Sequence, residues 1–236
     1  MSLADGLIEA AEKGDVEAQA SLGLTYSFGL GVEKDYKLAA YWYEKAAQQG
    51  NALAQVSLGL MYDQGLGVDQ DYKAALFWYE HAAGQGHPKA QFQLGGMYEL
   101  GRGVPQDDTL AAQWYERAAR QGEAAAQFQF ARKCETGYGI ERDDRLAAQW
   151  YEKAAEQGSA DAQVNLGALL YEGRGITQDL VEAHKWWSIA AGTGNSDASS
   201  NLSVVAPLMK PSEVAEAHRR AADWNETHAN PKKRAG

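Results

Sequence analysis

Cysteine is almost absent from the sequence, since Cys134 is the single one among 236 residues. A lone cysteine excludes an intramolecular disulfide framework, so folding requires no oxidising compartment. No stretch approaches the roughly 18 apolar residues that insertion across a membrane needs. The N-terminus also lacks the basic and then apolar pattern of a secretory leader. We therefore expect a cytoplasmic location by default, and a periplasmic or secreted one if a leader has been removed.

Basic residues are scarce relative to acidic ones. Lysine and arginine number 22 against 32 aspartates and glutamates, which gives a formal net charge of −10. Nucleic acid is not expected as a partner, because its phosphates require a basic face. The one basic cluster, Lys232-Lys233-Arg234, is interpreted as a solvated tail.

Patterns typical of catalysis and metal binding are missing as well. The five histidines lack metal-ligand spacing, and no nucleophile is placed with a candidate base. Acidic doublets such as Asp107-Asp108 mark helix starts, where the helix dipole favours negative charge. We therefore expect no catalytic residue, no metal and no cofactor, in a protein that is not an enzyme.

The sequence does contain a self-similarity with a period of 36 residues, which runs without insertion or deletion. An Ala-Gln pair, a tryptophan and a closing glycine recur in step. A fixed period of this length is typical of solenoids, in which each unit buries its apolar face against its neighbours. The pairs and tryptophans are Ala18-Gln19, Ala54-Gln55, Ala90-Gln91, Ala126-Gln127 and Ala162-Gln163, with Trp42, Trp78, Trp114, Trp150 and Trp186.

One repeat, residues 51–86, predicts two helices joined by a tight turn. Asn51 and Asp71 are good N-caps for the two helices. The Gly65-Leu66-Gly67 segment recurs in every repeat without a preceding strand, so it predicts a turn rather than a phosphate cradle. Gly86 closes the second helix as a left-handed C-cap. The predicted buried face of that helix consists of Ala75, Trp78, Tyr79, Ala82 and Ala83.

The repeat register predicts a single solenoid over residues 1–226. Terminal units are expected to be atypical, because their outer faces meet water. The last amphipathic helix is predicted over Ser212–Trp224, and the tail 227–236 is expected to be disordered. The predicted segments are a half-repeat cap over 1–14, five repeats over 15–50, 51–86, 87–122, 123–158 and 159–194, and a C-terminal cap over 195–226.

These repeats resemble the Sel-1-like repeat family, a relative of the tetratricopeptide repeats. The motif AQxxLGxxYxxGxGV followed by DxxxAxxWYxxAAxxG spans Ala54 to Gly86 in the second repeat. The resemblance implies an all-α fold, a right-handed α/α superhelix, and an adaptor or scaffold role in multiprotein complexes, often in bacteria. A secreted branch of the family has paired cysteines, which this chain lacks. Some of those relatives carry β-lactamase or penicillin-binding labels, but the chain has no Ser-x-x-Lys, so that label does not transfer.

The resemblance also implies where a partner would bind. First helices line the concave groove of tetratricopeptide-like solenoids, and projection of that geometry gives four groove-facing positions in each repeat. These positions vary along the chain while the motif positions hardly do, as a solenoid with a common core and a specific binding face should show. The predicted groove residues are Leu53, Val56, Leu60, Asp63, Phe92, Glu99, Phe128, Arg132, Glu135, Val164 and Tyr171.

Two rows along this groove suggest the chemistry of the partner. One row is apolar and one is mostly acidic, so a protein or peptide with apolar anchors and a lysine or arginine edge would complement both. The alternative for Phe92 and Phe128 is that they pack as core between neighbouring first helices. The rows are Ala20, Val56, Phe92, Phe128 and Val164, and Ser27, Asp63, Glu99, Glu135 and Tyr171.

The fourth repeat departs most from the pattern, because Ala131 replaces a glycine and Cys134 replaces a tyrosine. Arg132 and Lys133 flank the thiol, and a cation lowers the pKa of a thiol, so a reactive cysteine is one interpretation. The other, which we favour, is that cysteine acts as a small buried hydrophobe.

The sequence thus favours a non-enzymatic, monomeric module that binds a partner protein in its groove. Two alternatives belong to other classes. One is a structural spacer that docks partners through its convex face or its ends, and the other is a hydrolase of the β-lactamase type.

Overall fold

The computed structural model describes residues 3–229, and all regular structure among them is helical. Residues 1, 2 and 230–236, including the predicted basic cluster at 232–234, lie outside the described residues. The α-helices in the described part are α1 Leu3–Glu12, α2 Val16–Phe28, α3 Tyr36–Gln48, α4 Ala52–Gln64, α5 Tyr72–Gly84, α6 Pro88–Leu100, α7 Asp108–Arg120, α8 Ala124–Thr136, α9 Asp144–Glu156, α10 Ala160–Glu172, α11 Leu180–Gly192, α12 Ser196–Val205 and α13 Pro211–Ala229. A 3-10 helix over Ala206–Leu208 separates the last two. The predicted all-helical repeat fold is confirmed.

The chain forms two compact units, Met1–Glu123 and Ala124–Gly236. The first unit contains α1–α7, and the second contains α8–α13. In each unit the first and second helix of a repeat pack together, and the second helix packs on the first helix of the following repeat. The single array over 1–226 stays a prediction.

The helix starts follow the predicted caps. Asn51 Oδ1 accepts from the backbone amide of Ala54 at 2.9 Å. Asp71 Oδ1 accepts from the amides of Lys73 and Ala74 at 2.8 and 3.1 Å. These bonds satisfy amides that the first turn of a helix leaves without an intrahelical partner.

The Gly-x-Gly turn is a backbone device, as predicted. Gly65 and Gly67 have φ values of +69° and +71°, in the left-handed region that glycine adopts without steric cost. A Cβ atom at Gly67 would also overlap the carbonyl of Tyr36 in the preceding repeat. The turn therefore needs glycine for its conformation and for its close approach to the neighbouring repeat.

The core of each repeat centres on the contact between its two helices. Tyr79 is 1% exposed, and a Cβ at Gly59 would lie 2.6 Å from its Cε1 atom, so the glycine of the first helix makes room for the ring. Ala75, Ala82 and Ala83 are buried as predicted. Trp78 is only half-buried, so the tyrosine that follows it is the main aromatic core residue of this repeat.

The recurring glutamine of the Ala-Gln pair joins consecutive repeats. Gln55 is 3% exposed, and its Nε2 donates to the carbonyl of Ala47 at 3.1 Å. Gln85 Nε2 donates to Gln55 Oε1 at 2.8 Å and to the carbonyl of Gly50 at 3.1 Å. The buried amide is thereby satisfied while it ties three helix ends together.

The C-terminal cap differs from its prediction in length. The last helix ends at Ala229 rather than at Trp224, so residues 227–229 are helical and the predicted disorder over 227–236 is wrong for them; the remainder lies outside the described residues. The Trp224 ring stacks on His228 at 3.6 Å and donates from Nε1 to Glu156 Oε2 at 3.0 Å. These contacts attach the end of the helix to α9.

Candidate protein-binding site

The predicted groove residues of the first unit differ widely in exposure. Leu53 is 53% exposed, and Leu60 is half-buried. Val56 is 9% exposed and packs in the core with Tyr79 and Ala75. Val56 thus presents little surface in this structure, and its contact with a partner stays a prediction. Among these three, only the leucines offer apolar surface to a partner.

The two predicted phenylalanine anchors are half-buried. The Phe92 ring lies 5.7 Å from the Tyr115 ring, and the Phe128 ring lies 5.9 Å from the Tyr151 ring. Each phenylalanine thus supports the core tyrosine of its own repeat and keeps part of its surface open. Arg132 is exposed, with its guanidinium 6.0 Å from the centre of the Phe128 ring.

The remaining apolar positions lie on α10 in the second unit. Val164 and Tyr171 are half-buried. The backbone carbonyl of Val164 accepts from Trp187 Nε1 at 3.0 Å, and the Tyr171 ring lies 5.9 Å from the Trp187 ring. Both residues therefore help to hold Trp187, which takes the place of the core tyrosine in the fifth repeat.

The acidic row is largely engaged in contacts within the chain. Glu99 Oε2 accepts from the Tyr115 hydroxyl at 2.7 Å, and Glu135 Oε2 accepts from the Tyr151 hydroxyl at 2.7 Å. In both repeats the carboxylate precedes its tyrosine by 16 residues. These glutamates therefore anchor the core tyrosines, a role that the sequence interpretation missed.

In the second unit this contact grows into a closed network. Asn165 Nδ2 donates to the Tyr151 hydroxyl at 3.0 Å, which donates in turn to Glu135. Arg174 Nη2 donates to Glu135 Oε1 at 2.6 Å, and its Nη1 lies 3.6 Å from Asp144. Burial, and then the hydrogen bond to Glu135, raise the pKa of the Tyr151 hydroxyl. We call the residues of this network the Glu135 site: Glu135, Tyr151, Asn165 and Arg174.

In the first unit the same four positions form an open arrangement. Gln93 Nε2 donates to the Tyr79 hydroxyl at 3.2 Å, but no hydrogen bond joins Tyr79 to Asp63 among the described residues. Asp63 Oδ1 is buried without a hydrogen-bond partner, and Arg102 Nη1 lies 3.7 Å from it, beyond hydrogen-bond distance. Burial is the main cause that raises the pKa of Tyr79, and the charge of Asp63 adds to it. We call these residues the Asp63 site: Asp63, Tyr79, Gln93 and Arg102.

A cavity of about 180 Å³ adjoins the Asp63 site. Gly96 leaves room for it, because the equivalent position is Leu24 or Leu60 in the preceding repeats. Its walls combine apolar side chains with the polar groups of the site. The lining residues are Asp63, Tyr79, Phe92, Gln93, Gly96, Met97, Leu100 and Arg102.

Sequence reasoning missed the arginines and the tyrosines that complete the two sites. Arg102 and Arg174 each follow the carboxylate of their site by 39 residues, so the repeat alignment carries the signal. The arginines lie in the variable turn, and the tyrosines are part of the common motif. For these reasons the acidic row in the sequence does not point to either of them.

The fourth repeat buries its unusual residues. Cys134 is 0% exposed, which agrees with the small-hydrophobe interpretation and leaves the thiol without access to a reagent. Lys133 beside it is 5% exposed.

Among residues 3–229, no group of three or more histidine, cysteine, aspartate or glutamate side chains could hold a metal ion. No helix in the same part of the chain has the length and apolar character that crossing a membrane requires.

Large exposed apolar side chains are concentrated in the first unit. Leu24 is 42% exposed, Phe28 68% and Leu100 60%, and all three lie on first helices, as does Leu53. Second helices of this unit expose Leu38, Tyr41 and Phe77. The second unit exposes Tyr138, Val204 and Leu208.

The sequence matches a family model described as Sel1 repeat in five consecutive segments, residues 16–51, 52–87, 88–123, 124–159 and 160–195. No protein with a curated description matches it. Among solved structures, it is similar to a protective antigen of uropathogenic Escherichia coli strains that displays an SLR fold. The identity is 37%, the TM-score is 0.84, and the match covers 95% of this chain and 49% of that one.

Two further solved structures are similar. A Sel1 repeat protein from Oxalobacter formigenes is 38% identical, with a TM-score of 0.79 and a match over 86% of this chain and 60% of that one. An immunity protein from Pseudomonas aeruginosa is 22% identical with a TM-score of 0.50, over 81% of this chain and 72% of that one, and shows the fold alone. The chain spans 49% and 60% of the length of the first two proteins.

Proposed function

Because the chain belongs to the Sel1 repeat family, whose members are generally protein-interaction modules, we propose that it is a non-enzymatic adaptor. It binds a partner protein or peptide on the first-helix face of the first unit, which we define as the exposed surface of α2, α4 and α6. It acts as a monomer, and apolar side chains of this face anchor the partner.

The observation that carries the proposal is the exposure of leucines at variable positions of the first helices. Leu24 and Leu53 are 42% and 53% exposed although the repeat core around them is closed. Contiguous exposed apolar surface marks protein-interaction sites, and the first helices of this unit also expose Phe28 and Leu100. A few residues usually supply most of the binding energy of an interface, so replacing two exposed side chains can test this face.

The test is capture of partners from native lysate, with cross-linking, by the wild type and a Leu24→Asp, Leu53→Asp double variant. The variant should lose the captured proteins, because a carboxylate on the contact surface opposes burial. Its helical circular dichroism should be unchanged, since both side chains lie on the surface. Identical capture by the wild type and the folded variant would refute the proposed face.

The structural-spacer alternative supplies the matched control. Tyr41 and Phe77 are 49% and 48% exposed on second helices, at equivalent positions of the first two repeats. A Tyr41→Asp, Phe77→Asp double variant should therefore retain the captured proteins. Loss of capture in this variant alone would favour docking through the second-helix face.

A further inference from the structure

The cavity at the Asp63 site has the composition of a binding site for one long side chain. Phe92, Met97 and Leu100 supply apolar walls, and Asp63 supplies a carboxylate beside them. An apolar cavity of about 150 Å³ is large enough for a benzene molecule. The observed volume of about 180 Å³ therefore accommodates one extended side chain.

The carboxylate of this cavity lacks a hydrogen-bond donor. Within residues 3–229, Asp63 Oδ1 is buried and has no hydrogen-bond partner, and leaving such an acceptor unpaired is costly. Arg102 lies 3.7 Å away, its side chain is 45% exposed, and its guanidinium lies 5.5 Å from the centre of the Tyr72 ring. The pair is therefore a loose contact that leaves the buried oxygen without a hydrogen bond.

The Glu135 site shows what the Asp63 site lacks. There the longer carboxylate reaches the tyrosine hydroxyl with one oxygen and receives Arg174 Nη2 at 2.6 Å on the other. Asp63 is one methylene shorter than Glu135 and makes neither contact. The missing element is a cationic N–H donor on the carboxylate.

We infer that the Asp63 site binds a lysine side chain of a partner, with the aliphatic stem against Phe92 and Leu100 and the ammonium on Asp63. A lysine fits this site because its charge is compact and its stem is apolar. Arg102 turns into solvent when the ammonium takes its place, as its exposure allows. The chain's net charge of −10 attracts a cationic segment. This inference rests on the proposed function, since it names one side chain of the partner.

The direct test uses purified full-length protein and the peptide acetyl-Ala-Lys-Ala-amide as the probe. Met97 lines the cavity and is 3% exposed, so its methyl NMR signal reports occupancy. We expect a saturable shift with the lysine peptide and at least tenfold weaker binding of the norleucine peptide, because a hydrogen bond to a charged group is worth about tenfold or more. Equal binding of the two peptides, or no saturable shift, would overturn the inference.

Three variants separate the features of the site. Asp63→Asn keeps the shape and removes the charge, so it should weaken lysine binding about tenfold. Arg102→Ala removes the competing cation and should strengthen it. Gly96→Leu fills the cavity and should abolish it, although Asp63 is retained. The Gly96 change should fold, because an added Cβ meets only the Tyr115 hydroxyl at 3.7 Å and leucine occupies this position in two other repeats.

The two proposals fail in different ways. If the peptide binds as expected but the Leu24→Asp, Leu53→Asp variant captures the same lysate proteins as the wild type, the cavity is a lysine site and the proposed face is wrong. If lysate capture depends on those leucines but the peptide gives no shift, the face stands and the lysine inference is rejected. Asp63→Asn binding the lysine peptide as tightly as the wild type would also reject it.

Discussion

The Asp63 and Glu135 sites use the same four positions of the repeat, 72 residues apart, with opposite results. The Glu135 site closes through hydrogen bonds of 2.6–3.0 Å. The Asp63 site leaves a carboxylate oxygen unpaired beside a cavity of about 180 Å³. Asp63 is one methylene shorter than Glu135, and Tyr72 and Leu100 replace the two further carboxylates, Asp144 and Glu172, that hold Arg174. A repeat protein can thus open a site by changing a few variable side chains, while the core tyrosine stays the same.

The two units also differ in how deeply they bury their tryptophans. Trp150 and Trp186 of the second unit are 8% and 3% exposed. Trp42 and Trp78 of the first unit are half-buried, and most of the exposed apolar side chains lie there as well. The first unit therefore exposes more apolar side-chain surface than the second unit, which buries Trp150 and Trp186.

The largest expected effect comes from the tryptophans. Trp150→Ala should lower the free energy of unfolding by about 3–5 kcal/mol, because it empties a buried aromatic position. Trp78→Ala should cost less, about 2 kcal/mol, since part of the ring is already exposed to water. Urea unfolding followed by circular dichroism measures both. Equal losses would contradict the difference in packing between the units.

The next effect tests the closed site against the open one. Glu135→Ala should destabilise the protein by about 2–3 kcal/mol, because the buried Tyr151 hydroxyl loses its acceptor. Asp63→Ala removes no hydrogen bond of its side chain and should not destabilise the protein, since it also removes a buried unpaired acceptor. Comparable losses from the two substitutions would show that Asp63 is engaged in solution.

Exchanging aspartate and glutamate between positions 63 and 135 should close the Asp63 site and open the Glu135 site. Asp63→Glu should gain about 1 kcal/mol of stability, since a glutamate there can reach Tyr79 and Arg102. Glu135→Asp should lose a similar amount. The Met97 methyl signal of Asp63→Glu should also become insensitive to the lysine peptide. If a stabilised Asp63→Glu protein still bound the peptide, peptide binding in the cavity would not depend on an unpaired carboxylate.

The smallest effect concerns pH and again contrasts the units. Burial, and then the neighbouring His218, lower the pKa of His184 in the second unit. Burial, and then Lys89, lower the pKa of His87 in the first unit. The unfolded chain, with a histidine pKa near 6.5, therefore takes up protons first, so stability falls as the pH falls through this value.

Unfolding free energies measured from pH 7.5 to pH 5 test this linkage. His184→Gln and His87→Asn should each flatten the dependence, and the double variant should flatten it most. His81→Gln is the matched control, because His81 is exposed and bonds only locally to the carbonyl of Phe77. A control variant that flattens the curve as much as His184→Gln would contradict the assignment.

Sequence periodicity predicted the helices and their caps closely, because local residues determine them. Asn51, Asp71 and the glycine turns act as predicted, since capping and left-handed glycines depend on neighbours within a few positions. The last helix was predicted too short. Its final turn is held by the contacts of Trp224 and His228 with Glu156, which lies 68 and 72 residues away.

The candidate site was predicted less completely. Leu53 is exposed as expected, but Val56 is core. A shift of one position around a helix moves a side chain from solvent to a neighbouring helix. The repeat pattern does not fix the rotation of the helix about its axis. Phe92 and Phe128 lie between the two interpretations, since each is half-buried on a tyrosine.

By itself the sequence determined the helices, the turns and the repeating core, because the period of 36 residues places the same short-range instructions in every unit. Only the tertiary structure decided which acidic side chains form hydrogen bonds within the protein. That outcome depends on whether a carboxylate reaches a tyrosine 16 residues away and an arginine 39 residues away. The shorter side chain of Asp63 and the different neighbours of Arg102 and Arg174 change both distances, and a local sequence pattern does not contain contacts of this sequence separation.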